Sequence, residues 1–156
     1  MVRPLLCALA LGLGACRGID ECGGQGSALL EVGASDAEMA FVPWSDGEAL
    51  SVTYGAEGQS GVELAMRTRG LDTRDAVTIT VELEVAGYLQ QLVADTALVC
   101  DNEGHGRLRV FGDLPHTVAQ DVDTFDGAEV YLQVTLVDAH DRVVDGDPLF
   151  MDLQAP

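Results

Sequence analysis

The stretch Val77-Thr78-Ile79-Thr80-Val81-Glu82-Leu83-Glu84-Val85 alternates apolar and polar side chains without a break. In an extended chain successive side chains point to opposite faces, so the apolar residues share one side and Thr or Glu the other. That pattern specifies a half-buried strand, and the β-branched residues in it suit a pleated sheet better than a helix. Val130-Tyr131-Leu132-Gln133-Val134-Thr135-Leu136-Val137 repeats the pattern. Shorter strands are expected over Ala28 to Val32, Met39 to Val42, Ala49 to Tyr54, Val62 to Thr68, Tyr88 to Val93, Leu108 to Phe111 and Arg142 to Leu153. Turn formers separate them: Ser45-Asp46-Gly47, Gly55 to Gly61, Asp72 to Asp75, Asp101 to Gly106 and Asp138 to Asp141. No segment sustains a helical period, and Thr117 to Asp123 is expected to make one turn at most. The expected fold is all-β, an antiparallel sandwich of about eight or nine strands.

Charge limits the partners of such a sandwich. The chain has 26 acids against 8 basic residues, all Arg, and a formal charge of −18. Without lysine there is no P-loop, no kinase strand lysine and no Schiff-base amine, so nucleotide chemistry of those kinds is excluded. Nucleic acid and anionic membrane surfaces repel an acidic chain, so any membrane attachment must be covalent or hydrophobic. The amino-acid usage is that of a high-GC genome, which accounts for Arg in place of Lys but not for the threefold excess of acids.

The N-terminus carries an address. Met1-Val2-Arg3 is a short basic region, and after Pro4 comes the apolar run Leu5-Leu6-Cys7-Ala8-Leu9-Ala10-Leu11-Gly12-Leu13. That run is shorter than the roughly 20 residues a transmembrane helix needs and suits a signal-peptide core. It closes on Leu13-Gly14-Ala15-Cys16, which resembles the lipobox of bacterial lipoproteins. The resemblance implies cleavage between Ala15 and Cys16, with Cys16 carrying diacylglycerol and an acyl chain such as palmitate. Residues 1–15 would then be the signal peptide, 16–27 the lipidated cysteine and a Gly-rich linker, and 28–156 the sandwich. An ordinary signal peptide cut elsewhere is the competing reading. Arg17 is not the Asp that retains lipoproteins in the inner membrane of well-studied Gram-negative systems, so the resemblance implies the outer membrane. Every acid lies beyond Ala15, and losing Arg3 takes the side-chain charge from −18 to −19.

If Cys7 leaves with the leader and Cys16 takes lipid, Cys22 and Cys100 remain. In an oxidising compartment they are expected to form one disulfide. A zinc site is the alternative, although no CxxC accompanies either cysteine. With Cys22 pinned to the domain, a tether from Cys16 reaches about 20 Å when fully extended.

Asp126-Gly127-Ala128-Glu129-Val130-Tyr131, running into Val137 to Arg142, is similar to the last two strands of immunoglobulin-like domains. The tyrosine of a tyrosine corner would fall at Val130, and the following cysteine is missing, so the sandwich resembles that class without its marker residues. Over Phe41 to Gly47 and Gly55 to Gly70 the chain is also similar to envelope lipoproteins of high-GC predatory soil bacteria. Those relatives have no assigned chemistry, so this resemblance implies location and fold only.

Chemistry, if any, rests on the acids. Asp121, Asp123 and Asp126 approach the calcium-loop pattern DxDxDG, but the third Asp is one residue late and the twelfth position is Leu132. An EF-hand is excluded, and a looser calcium site competes with a solvated turn. If successive strands alternate direction, the loops around Asp46, Asp72 to Asp75, Asp101 to His105 and Asp138 to Asp141 meet at one pole. His105 and His140 beside carboxylates there would suit a transition metal. Gly58-Gln59-Ser60-Gly61 lacks the second glycine of a GxSxG elbow and reads as a turn. Trp44 and Tyr54 line a ligand groove in one reading, and Trp44 is a core residue in the other. No catalytic residue is assigned, and no cofactor is expected beyond the calcium alternative. The expectation is a non-catalytic, lipid-anchored binding or structural module of the cell envelope with a protein or glycan partner. The alternatives are a calcium-dependent adhesion domain and an accessory domain or hydrolase acting on envelope or extracellular polymers.

Overall fold

The computed structural model describes Cys22, residues 27–36 and residues 38–156. The expected signal cleavage at Ala15 and lipidation at Cys16 lie outside these residues. The alternating segments form the long strands: β1 (Leu29–Ser35), β5 (Ser60–Arg69), β6 (Val77–Val85), β7 (Tyr88–Thr96), β9 (Gly106–Asp113), β10 (Glu129–Val137) and β12 (Leu149–Gln154). Five two- or three-residue strands complete the set: β2 (Phe41–Pro43), β3 (Ala49–Ser51), β4 (Thr53–Tyr54), β8 (Val99–Cys100) and β11 (Val143–Asp145). The count exceeds the expected eight or nine because two segments read as single strands are broken and β8 was not among the expected strands. Ala49 to Tyr54 splits into β3 and β4, and Arg142 to Leu153 splits at Gly146–Pro148. At that second break the Gln133 side chain donates to the Gly146 carbonyl (2.7 Å), and Gly146 N–H donates to Val134 (2.9 Å).

The strands form two sheets of six. One runs β2-β1-β5-β9-β8 with β4 on β5, and the other runs β3-β12-β10-β6-β7 with β11 on β10. All pairings are antiparallel except β3 with β12. The core orders β1-β5-β9-β8 and β12-β10-β6-β7 are those of an immunoglobulin-like sandwich. The polypeptide changes sheet between β2 and β3, between β3 and β4, between β5 and β6, between β7 and β8 and between β9 and β10. The expected helical turn is the short helix α1 (His116–Gln120), followed by a 3-10 turn at Val122–Phe125.

Alternation fixes the core. Ile79, Val81, Leu83 and Val85 pair in register with Leu136, Val134, Leu132 and Val130, and all eight are at most 2% exposed. Leu30, Val32, Val62, Leu64, Met66 and Leu108 of the other sheet belong to the same buried cluster. Each such side chain contributes roughly 1.5–3 kcal/mol through burial. The β6–β7 hairpin turns on Ala86 and Gly87, both at positive φ, which is the two-residue turn whose twist matches its strands.

Candidate functional site

The buried polar residues Thr68, Asp72, His105 and Asp138 all lie at one end of the sandwich. Strands β5 and β10 end there, and β1, β6 and β9 begin there. Asp138 opens the turn after β10, with one carboxylate oxygen accepting the N–H groups of His140 (2.9 Å) and Arg142 (3.0 Å). Its other oxygen accepts the N–H of Asp72 at 3.1 Å, joining two loops 66 positions apart. Asp72 in turn accepts the Arg74 N–H (3.0 Å) and Nε (2.9 Å), and His140 Nε2 lies 3.1 Å from its second oxygen. Arg142 donates to the Gly70 carbonyl at 3.0 Å.

These partners set the electrostatics. The Arg74 guanidinium, then the Arg74 N–H, holds the Asp72 carboxyl far below the usual carboxylate range. Burial pushes Asp138 up, but the N–H groups of Arg142, Asp72 and His140 outweigh it and hold its pKa down. Asp101 follows the same balance: burial raises it, while the N–H groups of His105 and Glu103 and the Arg107 guanidinium bring it to about 2. Backbone N–H groups aimed at a carboxylate favour its charged form.

Asp101, Glu103 and His105 are the one set of three potential metal ligands that converges among the described residues, with donor atoms within 4.8 Å of one another. His105 is 4% exposed, and its Nδ1 makes no hydrogen bond while lying 3.4 Å from Asp101 Oδ1 and 3.6 Å from Glu103 Oε2. Its Nε2 faces the Arg69 guanidinium, which can only donate. Nε2 is therefore the acceptor, and a neutral ring carries its proton on Nδ1, directed at the two carboxylates. A metal on Nδ1 would require that proton to move to Nε2 and Arg69 to withdraw. Asp101 Oδ1 already accepts the N–H groups of Glu103 and His105, both at 2.9 Å, and Oδ2 accepts Arg107. The bonds of Asp101 brace the turn before β9, with His105 Nδ1 standing outside them.

The structure brings the Asp72, Asp101–His105 and Asp138–His140 loops to the same end, as alternating strand direction requires. His105 and His140 belong to separate hydrogen-bond systems, one on Arg69 and one on Asp72, and share no ligand set. The Asp46 loop is not at this end. Asp46 caps the Phe150 N–H at 2.9 Å, beside the edge of the second sheet. The strands on either side do run in opposite directions, but β2 stops at Pro43, opposite Gly33, and β3 starts at Ala49, opposite Asp152, so the turn lies partway along the sandwich.

At the opposite end Asp121 accepts the Thr124 hydroxyl (2.7 Å) and Asp126 accepts the Ala155 N–H (2.9 Å). The 3-10 turn between them sets Asp121 and Asp126 at its two ends, so with Asp123 they form no converging set. Gly58 adopts φ 82° in the turn joining β4 to β5, where Ser60 begins the strand. Trp44 packs on the core and Tyr54 is 64% exposed. Cys22 and Cys100 form a disulfide with Cα atoms 5.5 Å apart, which rules out the zinc alternative. Because Cys100 pairs with Gly106, the disulfide sits at the polar end.

Sequence reasoning found the loop acids but not their partners, which stand far away in the chain. The one local signal was an Asp at the head of each turn, the position from which a short carboxylate reaches N–H groups two and four residues on. Comparison with known proteins finds no family model that matches the chain. None of the curated proteins matches it either.

Proposed function

We propose that this protein is a lipid-anchored envelope module that works by display, holding a rigid sandwich close to a bacterial membrane so that its far end and faces meet a partner. The observation that carries this reading is the disulfide at the polar end, six residues beyond the lipobox-like Cys16. Strand β1 also starts at that end, since Leu29 pairs with Arg69. The tether therefore joins the domain at its most heavily cross-linked point, and the opposite end, with α1 and the C-terminus, faces away. No helix among the described residues is long and apolar enough to cross a membrane.

A non-catalytic role is supported by the saturation of the buried carboxylates, each held as an anion by N–H groups or arginine. Arg17 in place of Asp favours the outer membrane. Metabolic labelling with palmitate tests the anchor: incorporation should be lost in Cys16→Ser, and equal labelling of both proteins refutes it.

A further inference from the structure

Strand β7 is the free edge of its sheet. Its ladder with β6 runs from Val77↔Thr96 to Val85↔Tyr88, and nothing pairs with its other side among the described residues. Alternate residues of a nine-residue edge strand turn their N–H and C=O groups outward along a ridge about 30 Å long. Natural edges of this length are blunted by proline, lysine, a bulge or a covering loop. None of the first three is present here, because β7 reads YLQQLVADT and its register is unbroken, and the 3-10 turn reaches it at the Tyr88 end, where the Phe125 ring lies 6.0 Å from that of Tyr88. Its outward side chains are Leu89, Gln91, Val93 and Asp95, with Leu89 61% and Val93 59% exposed.

The face beside this edge has one sign of charge. Glu82, Glu84, Asp95, Glu129, Asp145 and Asp152 occupy the strands of this sheet, and no strand in it contains an arginine or histidine. Glu129 stands directly opposite Asp152, a like-charge pairing that costs stability. Glu82 and Asp95 are bonded only by neutral groups, the Gln91 amide (2.9 Å) and the Thr78 hydroxyl (2.7 Å). Four of the arginines, Arg67, Arg69, Arg107 and Arg109, lie on the other sheet.

From the free edge, the exposed apolar residues and the uncompensated charge together, we infer that β7 accepts an added strand from a cationic polypeptide. The partner's outward side chains would alternate apolar residues, opposite Leu89 and Val93, with Lys or Arg opposite Gln91 and Asp95. A cation opposite Gln91 can reach over it to Glu82, two strand spacings or about 9.6 Å away. Main-chain bonds would supply affinity, and the alternation would supply register. A second copy of this chain is disfavoured because it brings the same acids to the junction, and nucleic acid and anionic lipid are repelled for the same reason. The inference deepens the display reading by naming the partner's chemistry, and it rests on that reading only for access to the partner.

The test uses the full mature chain in neutral detergent micelles and a nine-residue peptide whose outward positions alternate lysine with valine. Binding is expected to weaken at higher salt and to be accompanied by slowed amide exchange in β7. The matched glutamate peptide, and a lysine peptide N-methylated on its pairing edge, should each bind at least about tenfold more weakly. Leu89→Lys with Val93→Lys should give a similar loss; both sites are exposed, so the variant should fold, as an unchanged melting curve would verify. Equal binding of the N-methylated peptide would mean charge attraction alone and would overturn the proposal. So would no binding, binding unchanged in the double variant, or self-association through β7. Palmitate labelling is read separately, so failure of the anchor and failure of the edge site are distinguishable.

Discussion

The two sheets share one core but treat charge in opposite ways. On the sheet containing β5 and β9, three of the four arginines meet carboxylates, and the fourth, Arg69, faces His105. Arg67 meets Glu31 through two bonds of 2.7 and 3.0 Å and lies 4.8 Å over the Phe41 ring, Arg107 meets Asp101, and Arg109 meets Glu63 at 3.2 Å. The Arg67 hydrogen bond is also the main reason the Glu31 carboxyl is held below its ordinary range. On the sheet containing β6 and β10, six carboxylates stand without a cation in the same sheet. Net charge alone therefore does not describe this protein. One sheet pairs most of its cations with carboxylates, and the other presents its charge to whatever approaches.

The strongest way to break the comparison is to remove the staple on the paired side. Replacing Cys22 and Cys100 by Ser together opens a loop with a sequence separation of 78 and is expected to cost about 4.5 kcal/mol in the chain-entropy model, seen as a drop in the denaturation midpoint. The polar end ranks next. Asp138→Ala leaves three backbone N–H groups without their acceptor and should cost about 3 kcal/mol in urea unfolding.

Acid titration probes the same end. Asp72, Asp101 and Asp138 all have folded pKa values below their unfolded ones. Their stabilisation is therefore fully present above the ordinary carboxylate range near pH 4 and is lost as pH falls through the folded values, about 2 for Asp101. The unfolding midpoint should hold down to about pH 4.5 and decline below it. A midpoint that stays constant down to pH 2 would contradict the assigned bonds.

Smaller changes separate the two faces directly. Glu31→Gln, which weakens a two-bond pair with Arg67, should destabilise by about 1 kcal/mol. Glu129→Gln on the open sheet should lie within about 0.5 kcal/mol of wild type and on the stabilising side, because it relieves the repulsion with Asp152. If both substitutions destabilise equally in thermal melts, the contrast between the sheets is lost.

Strand periodicity was legible because it is local. Val77 to Val85 and Val130 to Val137 form strands over nearly those residues, and their apolar sides became the centre of the core. The break at Gly146–Pro148 was marked locally by Gly146-Asp147-Pro148, whose proline has no N–H for a ladder, but the Gln133 side chain that holds it belongs to the neighbouring strand. Asp46 was expected at the polar end, but the short strands β2 and β3 leave its turn partway along the sandwich, and how far a strand runs before it turns depends on its pairing partners. The union of Asp72 with Asp138 could not be read from two acidic turns 66 positions apart.

By itself, then, the alternation of side chains determined an all-β sandwich and which face of each long strand is buried, because strand periodicity acts between neighbours in the chain. The cysteine pair was also expected from sequence, as the simplest pairing in an oxidised chain. Only the tertiary structure decided which strands neighbour one another, which carboxylates are closed off by arginine and N–H groups, and which edge is free. Those outcomes depend on loops and sheets meeting across the fold, where a hydrogen bond forms or fails by distances that local sequence does not set.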